Sequence, residues 1–324
     1  MNAPNKVMGP ELANIPSNPI PSGARAGFFK TRDNVKLRYA LWPRLGNKNK
    51  GTICLVQGRT EYIEKYFETI YDFQQRGFSV ATFDWRGQGG SDRLIANPKL
   101  GHVEDFNDYV ADLVSFHADI LLPDCPPPFY LVGHSMGGLA SLFAATRDRL
   151  MFERVFLSAP MVSLDLGVSI STGKNLVQLL KFFGAGHVPM QPWKFPRPSA
   201  KTFPGNELTS DHGRYMRMVK TLDHRPDLLI AAPTVGWTAA SLVAMEKAGA
   251  PEFGQKVKLP VLMLAAANDR VVSTSAIEHL GMSMRTGRHA VLPNARHEIF
   301  MENDGLRAQA FAAFDAFITE QGRT

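Results

Sequence analysis

Along the chain, short apolar runs of strand length alternate with segments whose apolar positions fall at helical spacing. Thr52–Gln57, Ser79–Trp85, Phe129–Val132, Arg154–Ser158, Val261–Ala266 and Ala290–Leu292 read as strands. Tyr66–Arg76, Phe106–Leu121, Met136–Arg147, Ser275–Met284 and a closing segment near Gly305–Gln321 read as helices. This order argues for the α/β class, with a mainly parallel sheet covered by helices on both faces. The chain opens differently: Gly27–Thr31 and Val35–Trp42 flank the turn-rich triplet Arg32-Asp33-Asn34 and predict an antiparallel hairpin.

Between about Pro160 and Val257 the alternation lapses. Helix-like stretches (Lys174–Phe183, Asp211–Lys220, Thr234–Lys247) are separated by Pro- and Gly-rich loops such as Pro189–Pro204. An insertion here reads as a helical lid above the carboxyl ends of the strands, where open α/β sheets bind ligands. The expected division is a flexible N-terminal tail over 1–25, a core formed by 26–159 and 258–324, and the lid over 160–257. The tail is polar and carries Pro4, Pro10, Pro16, Pro19 and Pro21.

Composition narrows the class without naming a chemistry. Of 324 residues, 44% are hydrophobic and 20% charged, as in a soluble globular enzyme. Cys54 and Cys125 cannot build a disulfide framework, and Cys54, inside Thr52-Ile53-Cys54-Leu55-Val56, reads as a small buried hydrophobe. No apolar run is long enough to span a bilayer, and Met1–Gly27 lacks the apolar centre of a signal peptide. The expected location is cytoplasmic, with peripheral contact to the inner membrane. A net charge of +6 suits anionic lipid surfaces or phosphate-bearing substrates, although solvated surface explains most of these charges more simply. No basic run is interleaved with aromatics, so nucleic acid is not an expected partner. Neither a metal constellation nor a Gly-rich dinucleotide loop stands out, so no cofactor is expected. Oligomeric state is left open.

Gly133-His134-Ser135-Met136-Gly137 matches G-x-S-x-G, preceded by the strand Phe129–Val132 and followed by a helix rich in small residues. At such an elbow the serine occupies a strained strand-to-helix turn, and its neighbours must be small to clear the adjoining backbone. A serine hydroxyl needs a base, itself oriented by an acid, and in elbow hydrolases the order is serine, acid, histidine. Asp269 follows the strand Val261–Ala266, and His297 follows Ala290–Leu292. Asp165 is the first alternative acid. The oxyanion donors are expected from the backbone N–H of Met136, after the nucleophile, and of Arg59, in the loop Gln57-Gly58-Arg59-Thr60-Glu61-Tyr62.

Several motifs together carry a resemblance: Gln57–Glu61, Asp84-Trp85-Arg86-Gly87-Gln88-Gly89-Gly90-Ser91, Gly101–Phe106, Gly133–Gly138, Asn206–Asp211 with Arg214-Tyr215, and Pro233–Trp237. From about residue 25 onward the chain resembles the monoacylglycerol lipase and lysophospholipase L2-like branch of the α/β hydrolases, of serine aminopeptidase S33 type. The resemblance implies an α/β-hydrolase fold and hydrolysis of single-chain lipid esters through an acyl-enzyme. It puts Ser135 as nucleophile, Asp269 as acid, His297 as base, and Arg59 and Met136 at the oxyanion hole. It departs at Gln57, where lipases of this branch have histidine, which loosens the monoacylglycerol assignment. Glu61 reads as a brace for the loop, and Asp84 and Arg86 as scaffold.

Tyr62, His134, Arg214 and Trp237, in or beside these motifs, are the candidate substrate contacts, with His134 read as orienting or packing. Arg197, Lys201, Arg214, Arg217 and Lys220 offer places for a lipid phosphate. In Lys174–Phe183 the apolar positions Leu176, Val177, Leu179, Leu180 and Phe183 recur at helical spacing. A helix packed down on the core is the preferred reading, and a membrane-touching face the alternative. The competing functions are a carboxylesterase or lactonase for small esters and a non-catalytic binding protein, which would have no need of all three catalytic residues.

Overall fold

The computed structural model describes residues 9–164, 169–190 and 197–319. In chain order the strands are β1 (Arg25–Lys30), β2 (Lys36–Trp42), β3 (Thr52–Val56), β4 (Ser79–Phe83), β5 (Phe129–His134), β6 (Arg154–Ser158), β7 (Val261–Ala266) and β8 (Gly287–Leu292). They form one sheet in the order β1-β2-β4-β3-β5-β6-β7-β8. The opening hairpin is antiparallel and joins β4 antiparallel, whereas β3 to β8 run parallel. The helices are α1 (Phe67–Gln75), α2 (Asn107–Phe116), the short α3 (Leu122–Asp124), α4 (Ser135–Arg147), α5 (Ile170–Phe182), α6 (His212–His224), α7 (Val235–Ala248), the short α8 (Phe253–Lys256), α9 (Thr274–Ser283) and α10 (Asp304–Thr319).

Every residue of β3 and β4 is buried, because helices cover the sheet on both sides. Alternate residues of β3 serve opposite faces. Cys54 and Val56 join Leu113, Phe116, Leu139 and Leu142 under α2 and α4. Ile53 and Leu55 join Ile70, Phe73, Phe311 and Phe314 under α1 and α10. The strand expected to reach Trp85 ends at Phe83. Asp84 is drawn off into a buried cluster, accepting from Ile63 N, Gly90 N and Arg38 Nε.

Helices α5 to α8 lie between β6 and β7, where the strand–helix alternation lapses. Of the apolar positions in α5, only Val177 is buried, and Leu176, Leu179, Leu180, Phe182 and Phe183 are exposed. The expected packing of that helix on the core holds on one side only: α5 packs along α7, with Val177 in the core and Ile170 half-buried against it, while its other apolar positions face outward.

The N-terminal segment also departs from expectation from residue 9 onward. Ala13, Ile15 and Asn18 are buried, Asn18 Nδ2 donates to Glu64 O, and Trp42 Nε1 donates to Pro21 O. Prolines make this stretch irregular without keeping it off the surface, since its apolar positions and backbone groups find partners in the core.

Candidate active site

β5 ends in the middle of the sheet, and α4 starts at once on Ser135. Ser135 carries φ of 50°, a left-handed conformation that side-chain-bearing residues rarely hold. The small neighbours are sterically required. A Cβ on Gly137 would come within 2.4 Å of Gln57 O, and one on Gly133 within 2.7 Å of Ser141 Oγ.

The loops after β7 and β8 bring Asp269 and His297 to this serine. His297 Nε2 lies 3.0 Å from Ser135 Oγ, and His297 Nδ1 lies 2.8 Å from Asp269 Oδ2. Asp269 Oδ1 accepts from Val271 N at 2.8 Å and Val272 N at 2.9 Å, which holds the carboxylate in one orientation. Burial works against its charge, but the His297 hydrogen bond and the two backbone donors keep its pKa below the ordinary carboxylate value. Asp165 lies outside the described residues. The loop after β3 presses on the elbow, where a Cβ on Gly58 would sit 3.1 Å from Ser135 Cβ.

A strained serine at a strand–helix junction thus meets its base and acid, which follow it in the chain order serine, aspartate, histidine. The family model described as serine aminopeptidase, S33, matches residues 47–304. The chain belongs to this family of hydrolases. It is similar to lysophospholipase L2 of Escherichia coli K12, at 30% identity over 302 residues, covering 89% of this chain and 86% of that one. Among solved structures it resembles a soluble variant of monoglyceride lipase from Saccharomyces cerevisiae, with TM-score 0.72, 19% identity, and coverage of 92% of this chain and 96% of that chain. It also resembles a thermostable carboxyl esterase from Bacillus coagulans, with TM-score 0.73, 19% identity, and coverage of 92% and 98%. The fold these share is the α/β-hydrolase fold.

Within this S33-family site the neighbours of the three central residues are tightly tied. Glu61 accepts from the N–H of Gly58, from Tyr66 Oη at 2.7 Å and from Lys65 Nζ at 2.8 Å. Burial opposes ionisation of Glu61, yet Lys65, His134 and Tyr66 hold it down at about 2. It is a brace for the loop, as the sequence suggested. Lys65 also reaches Glu298 at 2.6 Å, which links that loop to the residue after His297. The Glu61–Lys65 spacing of four was visible in the sequence, but its third member, 233 positions away, was not. Asp84 and Arg86 are scaffold, Arg86 pairing with Asp112 at 2.6 Å and Asp33 at 2.8 Å.

The four expected substrate contacts are all buried and committed to other partners. Tyr62 packs with Tyr215, Met218 and Leu222, and its hydroxyl reaches Met218 O at 3.4 Å. His134 has Nδ1 on Ser158 O at 3.1 Å, and burial lowers its pKa to about 4. Trp237 donates to Tyr109 Oη at 3.1 Å and carries the Arg59 guanidinium 5.4 Å from its ring centre. Arg214 spends every N–H: Nε and Nη2 on Glu68, Nη2 also on Asp304, and Nη1 on Asp211 and Glu302 O. A phosphate finds no donor there. Arg217 is held by Glu68 at 2.7 Å and Arg197 by Asp223 at 2.8 Å. Gln57 is buried too, its side-chain amide donating to Thr82 Oγ1 at 3.2 Å. In each case the motif located the residue, and packing with distant segments decided where its side chain went.

Proposed function

We propose that the chain is a serine hydrolase that cleaves carboxylic esters of single-chain lipids, lysophospholipids or monoacylglycerols, through an acyl-enzyme on Ser135. The observation that carries this reading is the hydrogen-bonded line Asp269–His297–Ser135 ending on a strained, helix-opening serine. Ser135 Oγ attacks the ester carbonyl carbon as its proton passes to His297 Nε2, and ionised Asp269 stabilises the resulting imidazolium. The departing alcohol takes that proton. Water, deprotonated by the same nitrogen, then releases the fatty acid and restores Ser135. Met136 N–H, in the first turn of α4, has no intrahelical carbonyl to serve and is assigned to the oxyanion together with the N–H of Arg59.

The family is described by an aminopeptidase, whereas the relative at 30% identity is a lysophospholipase, and the ester reading follows that relative. Ser135 is 7% exposed and His297 4%, so the reacting groups are largely shielded from bulk water. No helix among the described residues is long and apolar enough to cross a membrane. The outward apolar face of α5 instead suits contact with a bilayer surface. No acidic residue occurs between Asp165 and Glu207, whereas Lys174, Lys181, Lys194, Arg197 and Lys201 do. Lys174, Lys181 and Arg197 are paired with Glu246, Glu104 and Asp223, so the apolar face is what suits the bilayer. The two free cysteines suit a reducing, cytoplasmic setting.

The test is hydrolysis of lysophosphatidylcholine, monoacylglycerols and p-nitrophenyl esters of graded chain length, with Ser135→Ala as control. The wild type is expected to favour the long single-chain esters and to be labelled by a fluorophosphonate, and the variant to do neither. Undiminished labelling of the variant overturns the nucleophile, and a preference for the shortest esters turns the reading to a general carboxylesterase.

A further inference from the structure

Beyond the central trio, the insertion meets the loop before α2. There the structure gathers His102, Glu104 and His187, with one donor atom of each within 4.8 Å of the others. His102 Nε2 lies 2.9 Å from Glu104 Oε1, and His187 Nε2 lies 3.9 Å from the same oxygen. We propose that these three side chains form a binding site for a divalent transition-metal ion of the zinc class, clamping the end of α5 to the core.

The chemistry of the donors fits such an ion. Two imidazoles and one carboxylate are a common zinc set, and a fourth position is left to water. At zinc bond lengths of about 2.0–2.2 Å, tetrahedral ligand atoms stand roughly 3.3–3.5 Å apart. The 2.9 and 3.9 Å separations bracket that spacing, and with the widest donor pair within 4.8 Å, rotation of the exposed His187 side chain toward His102 is what closes the site. The one cation already present does not block it. Lys181 Nζ sits on Glu104 Oε2 at 2.7 Å and leaves Oε1 facing both histidines.

The outer contacts are those of a ligating histidine. Thr234 Oγ1 lies 2.8 Å from His102 Nδ1, where it can accept that proton and turn the Nε2 lone pair toward the ion. The segments are also held in place without an ion. Thr234 N donates to Gly101 O at 2.9 Å, Val235 N to Val188 O at 2.9 Å, and Met190 N to Pro233 O at 2.7 Å. Both histidines therefore stand beside backbone-bonded positions, and little order has to be created when an ion binds. Gly236 lets the strip close up, since a Cβ there would fall 2.7 Å from His102 Cε1.

No single stretch of sequence shows this site, because His187 comes from the insertion and the other two from the loop before α2. Its test is independent of the proposed catalysis. The full chain is titrated with zinc chloride by calorimetry and its melting midpoint followed in parallel. One equivalent is expected to bind and to raise the midpoint. His187→Ala removes an exposed ligand, so the metal-free midpoint is expected to stay while zinc affinity falls about tenfold or more and the thermal shift disappears. Glu104→Gln is expected to weaken zinc as well. Fluorophosphonate labelling, which blocks Ser135 and His297, is expected to leave binding unchanged. Equal zinc affinity in the wild type and His187→Ala, binding without defined stoichiometry, or loss of binding on labelling each overturn the proposal.

Discussion

Asp269→Asn is the substitution whose consequence the geometry works out most fully. The carboxylate has two distinct oxygens: Oδ1 accepts two backbone N–H groups and Oδ2 accepts His297 Nδ1–H. An asparagine amide must turn one end each way. Placing its NH2 against Val271 N and Val272 N would set donors against donors at two sites, so the amide oxygen takes the Oδ1 place. The NH2 then faces His297 Nδ1, which must become the acceptor. Nε2 is left carrying the proton toward Ser135 Oγ and cannot receive another. The cavity and the loop bonds survive, so stability is expected to change little.

Catalysis, by contrast, loses both the working tautomer and the charge that stabilises the imidazolium, a combination worth roughly ten-thousandfold in kcat, or about 5 kcal/mol. The assay is kcat on a chromogenic ester together with the melting midpoint. Asp269→Ala is the contrast, because it strands Val271 N and Val272 N and is expected to lower the midpoint as well as the rate. A kcat for Asp269→Asn within tenfold of wild type would refute the reasoning and move the acid elsewhere.

Three further outcomes are expected. Arg214→Ala leaves Glu68 with Arg217 alone and removes the partner of half-buried Asp211, so it should cost about 1–2 kcal/mol of stability while leaving the ratio of lysophospholipid to monoacylglycerol hydrolysis unchanged; a shift in that ratio at constant stability would restore a substrate role. His134 titrates at about 4 in the folded chain against 6.5 for an ordinary histidine, so the unfolded chain takes up the proton first as pH falls. Its contribution is complete above pH 6.5 and is lost down to about 4, an effect of about 3 kcal/mol that His134→Gln should flatten in a plot of melting midpoint against pH. Leu179→Ser combined with Phe183→Ser should reduce sedimentation with phosphatidylglycerol vesicles and leave hydrolysis of a water-soluble ester intact, since both side chains are exposed; unchanged sedimentation removes α5 as the contact.

The elements and the central trio were legible in the sequence because their causes are local. A wholly apolar strand reports burial on both faces. Gly133 and Gly137 report the crowding of Ser135, and the chain order of Asp269 and His297 reports which strand ends carry them. What surrounds the trio was decided by distant segments meeting. Tyr62 is claimed by Met218, Arg59 by Ala231 and Trp237, and Arg214 by Glu68 and Asp304. Local spacing says that such a side chain is near the site, but whether it faces a ligand or props up a loop depends on partners scores of residues away. The outward face of α5, the packed N-terminal segment and the meeting of His102 with His187 arise in the same way. Periodicity determines which residues share a face, and only tertiary packing determines what, if anything, covers it.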